Sequence, residues 1–185
     1  MKKKFIIVFL CFVILVVGFI WGKTSKENNT EVQKENNIEI SSIDDLYAAV
    51  STEITPLTNL PEEYSIYNAV EDGYLVVMRN SYNDEVKDEF MNLYNKKEKA
   101  FTRVAQLTDE GDLILYDVVY LPEKDKIYII TDYTRDKFST EEDRKISYKE
   151  YDKVATSYKG KKCWIAYNGD LSEENDKNVF YILSI

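Results

Sequence analysis

Two short runs carry the residue types best suited to chemistry: "DEGD" at Asp109–Asp112 and "TDYTRDKF" at Thr131–Phe138. They supply five candidates for a binding edge: Glu110, Asp112, Asp132, Arg135 and Asp136. An arginine among carboxylates supports several uses. Arg135 can grip an anionic group through two parallel N–H bonds. The acids can hold Ca²⁺ through oxygen ligands, although the D-x-[DN]-x-[DN]-G spacing of a calcium loop is missing. The third use is structural. Asp132 and Thr134 bond their own backbone and turn the chain, Arg135 bridges carboxylates, and Phe138 anchors the exit. Ion-paired turns outnumber sites, so the turn is the first expectation and the binding edge the second.

Other chemistries are excluded by what the chain lacks. It contains no histidine, which removes Ser-His-Asp and Cys-His nucleophiles, HExxH zinc sites and imidazole acid–base work. No Ser-x-x-Lys, GxxxxGK[ST] or GxGxxG occurs, which removes a penicillin-binding type of acyl enzyme and the phosphate-cradling loops. A carboxylate pair of the glycoside-hydrolase kind, its members roughly 5–9 Å apart, remains open. With 33 acidic residues such pairs arise by chance. No catalytic residue, metal or cofactor is therefore assigned.

The elements that position the two runs are strands. "AFTRVAQL", "DLILYDVVYL" and "KIYIITD" are linked by "TDEG" and "PEKD", turns short enough to force antiparallel hairpins. A three-residue turn pairs Leu107 with Leu113, Ala105 with Leu115 and Arg103 with Asp117. The last is a cross-strand ion pair contributing under about 1 kcal/mol if exposed. The second turn pairs Tyr120 with Ile127 and Val118 with Ile129, and the same register sets Arg135 opposite Asp112. Both candidate runs thus meet at one end of the sheet.

Upstream, Ser41 or Ser42 caps a short helix "IDDLYAAV", "TEITPLTNLPEEYS" is irregular, "SIYNAVEDG" is a helix closed by Gly73, and "YLVVM" is a strand. The clearest helix comes next, with Asn83 as N-cap and Lys96 and Lys97 in its last turn. Val86, Phe90, Leu93, Tyr94 and Lys97 form its apolar stripe and wet tip. Downstream, "RKISYKEYDKVATSY", "KKCWIAY" and "NVFYILSI" each read as strand. The fold class expected is α+β: an antiparallel sheet of five to seven strands with one main helix packed on a face, plus an N-terminal transmembrane helix. Among the 15 tyrosines, Tyr116, Tyr120 and Tyr128 lie within strands. Tyr148, Tyr151 and Tyr158 are the candidates for an exposed aromatic strip that binds glycan or peptide.

Residues 1–22 begin with Lys2, Lys3 and Lys4, ahead of an uncharged run from Phe5 to Trp21. As a helix those 17 residues would span about 26 Å at about 1.5 Å each, enough for a bilayer core. The lysines hold the start inside, so the rest faces out. A cleaved signal peptide and a lipoprotein signal at Cys11 are the alternatives, each with a poor cleavage context. Residues 23–40 form a polar tether and residues 41–185 the extracytoplasmic domain. The three lysines are the only charges before Lys23, so 21 basic residues beyond them face 33 acidic ones, a net charge of −12. Such a surface repels nucleic acid. Cys163 is the lone cysteine outside the anchor, so no disulfide forms there, and a buried small hydrophobe is its expected role.

The stretches "YSIYNAVEDGYLVV", "FTRVAQLTDEGDLILYDVVY" and "KIYIITDYTRDKF", with Tyr82, Asn83 and Phe90 between the first two, resemble an uncharacterised extracytoplasmic, lipoprotein-type domain of Gram-positive bacteria, the domain of unknown function 4362. Ala69, Gly73, Asn83, Arg103, Glu110, Gly111, Asp112, Asp132, Asp136 and Phe138 carry the match. Tyr74 stands where the family has aspartate, and the chain lacks a good lipobox and a C-terminal cysteine pair. The resemblance implies fold and location, and no activity. The expected role is a membrane-held, non-enzymatic module that binds an envelope protein or wall component. A carboxylate-based hydrolase of wall glycan is one alternative. A secreted protein restraining another enzyme, marked by an exposed apolar patch, is the other.

Overall fold

The computed structural model describes residues 39–77, 84–171 and 178–184, all within the unit Asn37–Ile185. The expected anchor and most of the tether lie outside the described residues. Among those described, no helix is long and apolar enough to cross a membrane.

The elements run α1 (Ile43–Val50), a 3₁₀ turn (Leu57–Asn59), α2 (Ile66–Glu71), β1 (Leu75–Val77), α3 (Asp84–Asn95), then β2 (Ala100–Leu107), β3 (Leu113–Leu121), β4 (Lys126–Asp132), β5 (Ile146–Tyr151), β6 (Lys153–Tyr158), β7 (Lys161–Tyr167) and β8 (Val179–Ser184). Strands β1 to β5 form one sheet in chain order and β6 to β8 a second. The fold is α+β as expected, with eight strands in two sheets among the described residues in place of five to seven in one.

Two differences have clear causes. The larger sheet is mixed, because β1 lies parallel to β2 with Leu75 beside Val104. A parallel neighbour needs a crossover of a dozen residues or more, usually a helix, and α3 sits between these strands. The segment expected as one strand after Arg144 breaks at Asp152. β5 pairs with β4 and β6 with β7, so the chain leaves one sheet and enters the other at that residue. Asp152 fixes the transition by accepting Lys126 Nζ at 2.7 Å and Gly169 N–H at 3.0 Å.

Both faces of the larger sheet are covered, where one packed helix was expected. Phe90 from α3 and Trp164, Ala166 and Ile182 from the smaller sheet pack against Val104, Val118 and Ile129. On the other face Leu46 and Tyr47 from α1, Leu57, and Ala69 from α2 meet Leu115, Val119 and Ile130. This double cover explains why all nine residues of β3 are buried. Such strands read as nearly continuous apolar runs, and "LILYDVVYL" does so except at Asp117.

Local sequence sets the ends of the helices. Ser42 caps α1: its Oγ accepts Asp45 N–H at 3.1 Å, and the Asp45 carboxylate accepts the N–H groups of Ser42 and Ser41 at 2.8 and 2.9 Å. Ser65 and Asn68 form the same reciprocal pair at α2. Gly73 comes just past α2 at φ 75°, the left-handed backbone that closes a helix. Helix α3 ends at Asn95, so Lys96 and Lys97 lie past its last turn, and Lys97 takes φ 58° there. The expected cap, Asn83, lies outside the described residues.

Candidate functional site

The register places Arg103 opposite Asp117, as the short turn requires. Both side chains are fully buried, not surface-exposed. Arg103 donates Nε to Asp117 Oδ1 at 2.6 Å and Nη2 to Oδ2 at 2.7 Å, a bidentate pair. Tyr47 OH donates to Asp117 Oδ2 at 2.6 Å and accepts Leu57 N–H at 3.0 Å. Arg103 Nη2 also donates to Thr55 O at 2.8 Å, and the guanidinium lies 5.1 Å from the Tyr74 ring centroid. Burial pushes the Asp117 carboxyl up, and its bonds to Arg103 and Tyr47 pull against that rise. The network ties α1 and the chain beyond it to the sheet centre. Sealed from solvent, it can hold structure but cannot reach a ligand.

The solvent-facing chemistry is at the sheet end that carries "DEGD" and "TDYTRDKF". Thr108 N–H donates to Asp112 O at 2.8 Å and Gly111 takes φ 91°, so the β2–β3 turn needs glycine. Asp112 then accepts Lys137 N–H on Oδ2 at 2.8 Å. The two runs therefore meet, through a backbone donor two residues beyond Arg135. Asp132 is buried and accepts Thr134 N–H at 2.9 Å, the Thr134 hydroxyl at 2.5 Å, and Arg135 Nη1. Arg135 Nη2 donates to Pro61 O at 2.9 Å. This guanidinium joins one carboxylate to a carbonyl of the irregular segment and does not bridge two carboxylates. Asp136 accepts the N–H groups of Phe138 and Ser139 at 3.0 and 3.1 Å and the Ser139 hydroxyl at 2.7 Å. Those bonds, led by the Ser139 hydroxyl, hold its carboxyl below the usual carboxylate range.

The loop is thus a well-bonded turn, as the structural reading expects, with two corrections: Arg135 reaches one carboxylate and a carbonyl instead of bridging two carboxylates, and the exit is held differently. Phe138 is 74% exposed and anchors nothing. Asp136 fastens the exit instead, through donors that a phenyl ring cannot satisfy. Glu110 sits exposed at the turn tip. The aromatic strip is corrected too. Tyr151 and Tyr158 are buried and only Tyr148 reaches the surface, because the second sheet covers the face on which Tyr151 lies. Cys163 is buried, and burial pushes its thiol up. Among the described residues no group of three or more Cys, Asp and Glu side chains is arranged to hold a metal ion.

Beside the turn lies a feature that the sequence does not announce: a cleft of about 1130 Å³. Of the five candidate residues, Asp112 and Arg135 line it. Leu60, Leu107 and Ile146 supply partly exposed apolar surface, and Tyr67 on α2, 78% exposed, stands at its edge. Lys137 and Arg144 join Arg135 on the loop side, while Glu62 and Glu63 come from the segment after Pro61. Arg144 donates Nη2 to Lys137 O at 2.5 Å and Nε to Ser139 O at 3.1 Å, so its position is set by the loop's own backbone. Lys137 and Arg144 make no ion pair among the described residues. Arg135 Nε is buried with no acceptor there. Tyr64 OH donates to Asp72 at 2.6 Å, which steadies the rim.

No family model matches the chain, and neither does any curated protein or solved structure.

Proposed function

We propose that this chain is a membrane-held, extracytoplasmic binding module of a Gram-positive cell envelope, without enzymatic activity, that receives its ligand in the cleft beside "TDYTRDKF". The cleft is the observation that carries the reading. It combines partly exposed apolar side chains, an exposed aromatic ring and pre-positioned guanidinium groups, the mixture by which concave sites combine affinity with orientation. Three of the acids at this end favour binding over hydrolysis. Asp112, Asp132 and Asp136 each accept backbone N–H groups that hold the turns, which leaves them poorly placed for proton transfer. The apolar run Phe5–Trp21 behind three lysines supports the location, and the motif resemblance agrees with it.

A second reading has its own observation. Tyr67 and Val70 lie three apart on α2, 78% and 54% exposed, so they share a helix face. An exposed apolar pair of this kind suits a secreted protein that docks on and restrains an enzyme.

Thermal unfolding of the full chain, measured with Ca²⁺, soluble wall fragments and envelope extract, tests the proposal. A ligand that binds only the folded state raises the midpoint. The expected result is a component that raises the wild-type midpoint and loses that effect in Tyr67→Ala, whose exposed ring contributes little to folding. Equal shifts in both proteins, or no shift with any component, would overturn it.

A further inference from the structure

The chemistry of the cleft narrows the ligand. Its positive groups cluster on one stretch: Arg135 and Lys137 in the turn and Arg144 tied back onto it. A guanidinium has five N–H donors. Arg135 spends two on Asp132 and Pro61 O, and Arg144 two on loop carbonyls. Both therefore keep donors in reserve, in orientations fixed before a ligand arrives. Fixing a long side chain in advance lowers the entropy lost on binding. Lys137 adds a third positive charge with no ion-pair partner among the described residues.

Three acids share the cleft, Asp112 bonded to the Lys137 N–H and Glu62 and Glu63 on the Pro61 segment, and the chain as a whole carries more acid than base. The screening length near physiological salt is roughly 8 Å, so an anionic group touching the three cations feels them first. A long polyanion would also run across the acidic remainder and be repelled. The ligand's negative charge is accordingly compact and terminal. The portion of the ligand next to that charge is apolar, because Leu60, Leu107, Ile146 and Tyr67 border the same space. At about 1130 Å³ the cleft exceeds the roughly 300–1,000 Å³ that enclose one small ligand, so it has room for several residues of chain.

We infer that the cleft captures the C-terminal end of a peptide or protein: its free α-carboxylate meets Arg135, Lys137 and Arg144, and one or more apolar side chains lie on Leu60, Leu107, Ile146 and Tyr67. This mode reads a chain end by its charge and its last side chains. It rests on the binding-cleft reading above and adds the class of ligand.

An array of tetrapeptides tethered by their N-termini, each made with a free C-terminal carboxylate and again as the amide, is probed with the full chain. A subset ending in apolar residues is expected to bind as acids and to weaken at least ten-fold as amides. Lys137→Gln leaves the Lys137 backbone bonds in place and is expected to weaken the same acids at least three-fold. Arg144→Gln is expected to weaken them further, each variant being checked for an unchanged unfolding midpoint. Equal binding of acids and amides would overturn carboxylate recognition. So would the absence of any bound tetrapeptide, or tighter binding of soluble polyglycerol phosphate than of any peptide acid. If an envelope component still shifts wild type and not Tyr67→Ala, the cleft stands and only the ligand class falls. If that shift is also absent, both readings fall.

Discussion

Removing Arg103 should be among the costliest single substitutions in the domain. Arg103→Met deletes two bonds to Asp117, at 2.6 and 2.7 Å, and one to Thr55 O at 2.8 Å. Asp117 is then left fully buried with only the Tyr47 hydroxyl donating to it. Stripping one partner from a buried pair costs about 3–5 kcal/mol, because the survivor is an uncompensated charge. A whole domain has about 5–15 kcal/mol of stability, so roughly a fifth or more is at stake. Asp117→Leu should cost a similar amount by stranding the guanidinium. The double variant Arg103→Met with Asp117→Leu removes both charges and leaves only neutral groups, such as Thr55 O and Tyr47 OH, short of partners. It should be at least as stable as either single variant. Urea unfolding of the four proteins measures this. With a slope of about 2 kcal/mol per molar, each single variant should lose roughly 1.5–2.5 M in midpoint. Singles within about 1 kcal/mol of wild type, or costs that add in the double variant, would refute the claim that this pair acts as one buried unit.

Buried tyrosines set an alkaline limit on the fold, Tyr151 and Tyr128 among them. Tyr151 and Tyr128 are each pushed up to about 12 by burial, above an unfolded value near 10, so the stability they contribute is complete below pH 10 and lost as pH rises through 12. The tyrosinate signal of these two rings should therefore appear together with unfolding in that window, and their separate titration in a folded protein would contradict it. Asp136 is held below its ordinary value by Ser139 and backbone donors. Its contribution is present above about pH 4 and lost as pH falls through the depressed value, so Asp136→Asn should flatten the acid limb of the urea midpoint below about pH 4. An unchanged limb would show that the loop bonds do not distinguish the charged form. Trp164 is fully buried, meets Phe90 edge-on at 5.3 Å, and its indole N–H has no partner among the described residues. Trp164→Ala should cost about 3–5 kcal/mol and Trp164→Phe well under half of that, read by the same unfolding curves. Equal costs would show that the packed volume does not set the loss.

How much of this was legible in the sequence depended on distance along the chain. The hairpins were legible because short turns permit few registers, and Arg103 beside Asp117 and Val118 beside Ile129 come from counting. The burial of Arg103 was not legible, since it depends on α1 and the Thr55–Leu57 segment folding over that face from about fifty residues away. A clue was present: one aspartate within a nine-residue strand of apolar and tyrosine side chains is costly unless a cation meets it. The parallel β1 was also within reach, because strand, helix and strand in succession is the pattern of a crossover. The Asx-type bonds of Asp132 came from local chemistry and needed no tertiary knowledge, whereas those of Asp136 were missed because the exit was expected to rest on Phe138. The cleft did need it, because Tyr67, Leu60 and Ile146 reach one place only when the Pro61 segment returns to the sheet end and is held there by Arg135.

The central claim is that ligand enters at the cleft, and a benzophenone photo-crosslinker introduced in place of Tyr67 tests it most directly. The control carries the same group in place of Tyr148, which is surface-exposed and does not line the cleft. Irradiating the full chain with native envelope should give a discrete adduct from position 67 that an excess of unmodified protein suppresses, and none from position 148. Matching adducts from both positions, or none from position 67, would contradict the account.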